Sequence, residues 1–187
     1  MKKTLIGSIV GGIIVFIWSF LSWALLNLHH GSQEYTPKQD SILAYLNTQF
    51  SDDGSYLLPR SAPGTSHEEM EKQMESRAGK PWVMIQYHKS LNVNMTENII
   101  RGLLTDIIMV IFVCWIFSRF TSRQFGAIFT ACILIGLIVF INAPYAVHIW
   151  YHKGDIWAYF LDAVVGWGLV GIWLGWYLSP KAKPAAA

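Results

Sequence analysis

Two carboxylates interrupt stretches that are otherwise almost wholly apolar. Asp106 lies within the run Ile99–Phe120 and Asp162 within the run Ile156–Leu178. At about 1.5 Å per helical residue, both sit roughly 10 Å inside their runs from the same side. Asn142 and Tyr145 in the run Phe125–Ile149, and Ser19 and Ser22 in the run Thr4–Leu28, fall at the same depth. A carboxylate at such a depth is costly unless it is paired or neutral. These six residues form an expected intramembrane polar cluster that binds a proton, a cation or a lipid headgroup. The bland alternative is a hydrogen-bonded plug that fixes helix register. With Asp106 facing Asp162, one of the two keeps its proton, because neighbouring like charges do not both ionise in a low dielectric.

A second constellation is made of histidines. His148 and His152 are four residues apart, Asp155 follows, and His29 and His30 leave the first run at the same level. Imidazoles on one helical face with a carboxylate nearby can hold Zn or Cu. The Glu of a metalloprotease helix is missing, and interfacial histidines more often have no ligand role. Further along, His67, Met70 and Met74 repeat at helical spacing. Such soft donors suit Cu(I), although this pattern is more often the buried face of an amphipathic helix. No cofactor is expected. The chain has no phosphate-cradling Gly loop, no G-x-S-x-G elbow and no Cys pair at metal spacing.

These side chains must be positioned by the four apolar runs. Each reaches the roughly 20 residues that span a bilayer as helix. The expected fold is therefore an all-α membrane protein, a four-helix bundle with a small α/β extracytoplasmic domain between helices 1 and 2. The divisions are helix 1 in 1–28, the domain in 29–98, helices 2 to 4 in 99–178, and a cytoplasmic tail in 179–187. The first run opens like a signal peptide but is too long for an h-region, so it is read as an uncleaved anchor. Lys2, Lys3, Arg119, Arg123, Lys181 and Lys183 fall on one side, whereas the short loop opposite has Lys153 as its only base. The positive-inside rule then predicts both termini and the Arg119–Gln124 turn in the cytoplasm. A formal net charge of +2 points to no nucleic-acid partner. Cys114 and Cys132 lie within the runs and read as small apolar core residues.

The domain reads as α-β-α-β. Thr36 and Pro37 look like the start of the first helix, and Ser66 with Glu69 like a capping box that opens the second. Ser55–Pro59 and Trp82–His88 are the predicted strands. Leu46, Leu57, Trp82 and Ile85 are expected to contribute to its core or to its contact with the membrane helices. Asn94-Met-Thr96 matches a glycosylation acceptor, weakly. In the membrane runs, Gly7 with Gly11 and Gly171 with Gly175 permit close helix contact, either within the chain or with a partner or second copy. Pro144 should kink helix 3.

The opening MKKTLIGSIVGGII, the GKPW before the strand and the late DAVVGWGLVGIWLGW resemble stretches of bacterial four-helix inner-membrane proteins that bring no known activity. Three functions follow as expectations. The first is a non-enzymatic accessory or partner-binding subunit. The second is a small proton- or cation-linked transporter using the two aspartates. The third is a membrane enzyme acting on lipid, with His148 or His152 as base.

Overall fold

The structure is a computed structural model that describes residues 2–180. Lys181 and Lys183, and with them most of the predicted tail, lie outside the described residues. Four helices are long and apolar enough to cross a membrane: α1 (Lys2–Leu25), α4 (Met95–Phe117), α5 (Phe125–Trp150) and α6 (Ile156–Leu178). Between α1 and α4 come α2 (Gln39–Gln49), β1 (Gly54–Leu58), α3 (His67–Arg77) and β2 (Val83–Tyr87). The chain folds as two units, one comprising Tyr35–Val93 and the other the remaining described residues. Residues 29–34 and 94–98, predicted as domain, thus belong with the long helices.

In the membrane unit α1 packs against α4 and α6, and α5 against α6. The core gathers Val110, Val113, Cys114 and Phe117 of α4, Ile128 and Cys132 of α5, and Trp167, Val170 and Leu174 of α6. Both cysteines are free thiols packed inside it. Small residues set the spacing of the helices. A Cβ on Gly12 would fall 2.5 Å from the Ile107 Cα, and one on Gly136 would fall 2.5 Å from the Ala163 carbonyl oxygen. The four glycines singled out above also face neighbours within the chain. Gly7 meets Leu174 and Tyr177, Gly11 meets Val110, Gly171 meets Cys132 and Phe129, and Gly175 meets Phe125. Their close approach is therefore spent on helices of the same chain.

Three of the long helices contain one wide π-helical turn: Leu21–Leu25 in α1, Ile141–Tyr145 in α5 and Asp162–Gly166 in α6. The second has a direct cause. Pro144 has no N–H to donate and its ring crowds the preceding turn, so the backbone widens there. Such turns re-aim side chains and are common at functional sites.

The smaller unit pairs β1 and β2 antiparallel, with Leu58 opposite Val83 and Gly54 opposite Tyr87. Its core is aromatic. Phe50 stacks on Tyr56 with ring centroids 4.0 Å apart and packs at 5.3 Å from Tyr87, whose hydroxyl donates to Asn47 Oδ1 at 2.8 Å. Leu46, Leu57 and Ile85 are partly buried, and Trp82 is half exposed. The strand alternation puts Ile85 and Tyr87 on the covered face, and Trp82 lies just before the strand. Ser66 caps α3 as predicted, accepting from the Glu69 N–H. α2 instead begins at Gln39, because Thr36–Lys38 form a separate turn in which Thr36 Oγ1 accepts from the Lys38 N–H. Asn94, read as a glycosylation acceptor, uses its side-chain oxygen to cap α4 at the Glu97 N–H.

Candidate functional site

The end of α1 explains how a loop histidine becomes buried. After the wide turn Leu21–Leu25, the Leu26 N–H donates to Leu21 O at 2.8 Å and the Leu28 N–H to Ser22 O at 2.9 Å. Asn27 takes a left-handed conformation, φ 49°, which Asn tolerates better than other residues with a Cβ. The chain reverses there, and His29 turns inward until it is only 2% exposed. Close backbone contact holds the loop down. A Cβ on Gly154 would lie 3.1 Å from the Gly31 carbonyl oxygen, and one on Gly31 would lie 3.7 Å from the Asp155 Cβ.

Both ring nitrogens of His29 face carboxylates. Nδ1 lies 3.0 Å from Asp155 Oδ2, and Nε2 lies 2.8 Å from Asp162 Oδ2. Asp155 is the residue just before α6, and Asp162 opens the wide turn of that helix two turns later. Trp18 of α1 donates its indole N–H to Asp162 Oδ1 at 3.0 Å. Gly166, four residues beyond Asp162, makes room for that indole, since a Cβ there would lie 3.0 Å from the Trp18 ring. The imidazole is sandwiched as well. Trp23 stacks on it with centroids 3.9 Å apart and planes 6° from parallel, and Tyr159 meets it edge-on at 4.6 Å. Lys153 Nζ sits 5.1 Å from the centre of the Tyr159 ring. Residues from α1, its following loop and the start of α6 are thereby clasped together.

The geometry sets the proton count. A neutral imidazole donates from one nitrogen and presents a lone pair at the other. With both carboxylates ionised, that lone pair would face a carboxylate oxygen at hydrogen-bond distance. Only the doubly protonated ring satisfies both contacts, unless a carboxyl group carries the extra proton. Either way the closed clasp holds one proton more than a neutral His between two carboxylates. For Asp155, burial pushes the pKa up, but hydrogen bonding from Ser32 and from His29 pulls it down further, leaving the carboxyl below its ordinary value.

Because both His29 nitrogens are engaged, neither is free to act as a general base while the clasp is closed. The two carboxylates also approach opposite edges of the ring, so they do not converge on one point. Among the described residues no group of three His, Cys, Asp or Glu side chains is arranged to hold a metal ion.

The two predicted constellations are each split, and a part of each is joined here. From the polar cluster the site takes Asp162. Ser22 is buried close by in sequence to Trp18 and Trp23, but its hydroxyl has no hydrogen-bond partner among the described residues. Ser19 is partly buried, and Asn142 is exposed. Tyr145 is also exposed, its ring near those of Phe140 and His148. Asp106 has no hydrogen bond or ion pair among the described residues and does not join Asp162, whose carboxylate is met by His29 and Trp18. From the predicted metal set the site takes His29 and Asp155. His30 is exposed beside the Asn27 carbonyl. α5 ends at Trp150 and Tyr151 is extended, so His148 and His152 do not share a helical face, although their rings lie 5.2 Å apart. His148 Nδ1 accepts the Lys153 N–H at 3.0 Å, which removes that nitrogen as a ligand. In α3, His67 pairs with Glu71 and Met74 is 74% exposed, so the soft-donor stripe is a solvated face. Trp18, Trp23 and Tyr159 were not singled out as site residues. A Trp four residues before a buried Ser and a Tyr three residues before the Asp carry too little signal by themselves.

No protein-family model, curated protein or solved structure matches this chain.

Proposed function

We propose that this chain is a non-enzymatic, proton-responsive membrane protein in which the Asp155–His29–Asp162 clasp closes one end of the helix bundle when it holds its proton. The supporting observation is the buried imidazole with a carboxylate oxygen at each ring nitrogen. The other groups around it are Trp18 on Asp162, the Trp23 and Tyr159 rings on the imidazole, Ser32 by Asp155, and Lys153 over Tyr159. With the imidazolium present the three side chains carry one net negative charge, and without it they carry two. Repulsion between two poorly solvated carboxylates then favours opening. Histidine is the side chain whose charge changes near neutral pH, which suits it to such a switch.

In this reading the small domain lies outside the cell, and both termini lie in the cytoplasm of a bacterial inner membrane. Lys2, Lys3, Arg119 and Arg123 support that orientation, since these short segments contain no acid and Lys153 is the one base in the α5–α6 loop.

Deuterium uptake of segments 27–33 and 153–161 tests the reading in the full chain, in mild detergent. Uptake is corrected for intrinsic exchange and followed between about pH 5 and 9, the range that brackets histidine titration. Uptake in both segments should rise together as the proton is lost. In His29→Gln the rise should vanish. In Asp162→Asn it should move to lower pH, because a charge that favours the imidazolium is gone. Uptake that stays flat with pH in the unmodified protein would overturn the proposal.

A further inference from the structure

The Tyr35–Val93 unit separates its charges along the hairpin. β1 and β2 pair from Gly54 opposite Tyr87 to Leu58 opposite Val83, a length of about 14 Å by the usual strand rise. Beyond the Gly54 end, Asp53 pairs with His88 and Asp52 with Lys89. At the Leu58 end a groove of about 620 Å³ opens between the strand ends and the end of α3. Leu58 and Pro59 line it from β1, Arg77 and Lys80 from α3 and its turn, and Pro81, Trp82 and Val83 from the start of β2. Gly79 makes this closure possible. At φ 74° it turns the chain out of α3, and the Lys80 N–H donates back to Arg77 O at 3.0 Å.

The lining has two bases and no acid. Arg60, which follows Pro59, adds a third base at this end, and no acid pairs with Arg60, Arg77 or Lys80 among the described residues. Within α3, Glu68 and Glu71 are taken by Lys72 and His67, while Glu69 and Glu75 are exposed and do not line the groove. Asp52 and Asp53 are too far to neutralise it, since charges in salt are screened within about 8 Å. The C-terminus of α3 brings only about half a negative charge, less than the two full bases beside it. The rest of the lining is apolar and open: Leu58 is 40%, Trp82 50% and Val83 45% exposed. A fitting occupant is therefore an anion that also carries apolar bulk.

We propose that this groove binds the headgroup of an anionic phospholipid, with Arg77 and Lys80 on the phosphate and Trp82, Leu58 and Val83 against the glycerol and first methylenes. Connectivity favours lipid over a soluble anion. Tyr35 directly follows Glu34 and Val93 directly precedes Asn94, and both of those neighbours belong to the membrane unit, so the small unit is tied to the bilayer at both ends. Its lining also matches the headgroup zone, where indoles collect and bases meet phosphates. The inference rests on the small unit alone. It depends neither on the proton reading of His29 nor on which side of the membrane the unit lies, because both leaflets present phosphates.

The test follows deuterium uptake of segments 57–60 and 77–84 in the full chain, reconstituted in nanodiscs. One preparation is phosphatidylcholine alone and the other adds phosphatidylglycerol. Uptake in both segments should be slower with phosphatidylglycerol, whereas uptake in 39–49, outside the groove, should not change. Each base near an anionic surface is worth about a fivefold preference, so Lys80→Gln should cut the slowing by about fivefold and Arg77→Gln with Lys80→Gln should abolish it. Lys80 is exposed, so its single variant tests the groove even if the double variant unfolds the unit. Equal uptake in the two lipids would overturn the proposal, as would a phosphatidylglycerol effect that survives in both variants. Inorganic phosphate, or a soluble Glu- and Leu-rich peptide, is added to the phosphatidylcholine nanodiscs as a control. Slowing by either that matches phosphatidylglycerol would also overturn it, making the occupant a free anion or a protein.

Discussion

Asp162 and Asp106 have the same side chain, lie in helices of the same length and interrupt apolar sequence, yet their surroundings differ. Asp162 has His29 on one oxygen and Trp18 on the other. Asp106 has neither a base nor a donor among the described residues. The difference comes from the chain beyond the helices. α1 ends in a wide turn and a left-handed Asn27, which together deliver His29 to Asp162. α4 is capped at its start by Asn94, and among the described residues no side chain hydrogen-bonds to Asp106 further along it. An acid in a membrane helix is answered by whatever the local topology brings to it. Where topology brings nothing, the answer must come from a proton or another molecule.

The largest test of that contrast is His29→Ala. It leaves buried Asp155 and part-buried Asp162 without their shared base and should destabilise the protein by about 3–5 kcal/mol, the usual cost of breaking a buried charge pair from one side. Reversible unfolding in mixed micelles measures it. A loss below about 1 kcal/mol would make the clasp incidental.

The same unfolding assay compares the two acids directly. Asp162→Asn should cost about 1.5–3 kcal/mol, in the range of hydrogen bonds to charged groups. Asp106→Asn should be neutral or slightly stabilising in the isolated chain, because it removes a carboxylate that has no partner. Equal costs at the two sites would erase the distinction between them.

A packing control sharpens the case at α4. Gly12→Ala places a methyl where the Ile107 backbone stands and should cost about 1–3 kcal/mol, as overpacked cores do. Gly126→Ala meets nothing within 4 Å, so no clash opposes it. If Gly12→Ala proves silent, α1 and α4 are not in close contact beside Asp106. A smaller effect is expected for Trp18→Phe, which removes one hydrogen bond to Asp162 worth about 1 kcal/mol.

The least change should come from acid. The Asp155 carboxyl lies below its ordinary value in the folded state, so its contribution is present above the unfolded value, about 3.9. That contribution is lost as pH falls through the lower folded value. Asp155→Asn should therefore flatten the acid limb of the stability–pH curve.

The helices were legible because a spanning helix has a length and a composition that little else imitates. The strands were legible from β-branched and aromatic residues between turns, and Ser66 from its Glu three residues on. Boundaries set by side-chain competition were harder to read. Thr36 bonds to Lys38 in a turn of its own and postpones the helix that Pro37 was expected to open. The site was half legible. Depth alone marked Asp162, and interfacial position marked His29 and Asp155, but these were placed in separate groups. What joins them is the reversal at Asn27 and the Gly31–Gly154 contact, which depend on a three-dimensional fit that no periodicity in the sequence encodes. For the same reason Asp106 and Asp162 looked equivalent, because depth says nothing about which neighbour a side chain meets.

The central claim is that the clasp closes on a protonated ring. Nitrogen-15 spectroscopy of selectively labelled histidine reads this in the folded protein, with His29→Gln used to assign the signal. At mildly acidic pH, above the carboxylate range, both ring nitrogens of His29 should show the shifts and directly bound protons of an imidazolium. Those signals should give way to a neutral tautomer at the pH where segments 27–33 and 153–161 begin to exchange. A neutral His29 ring with both segments still protected, throughout the range where the clasp is closed, would contradict the account.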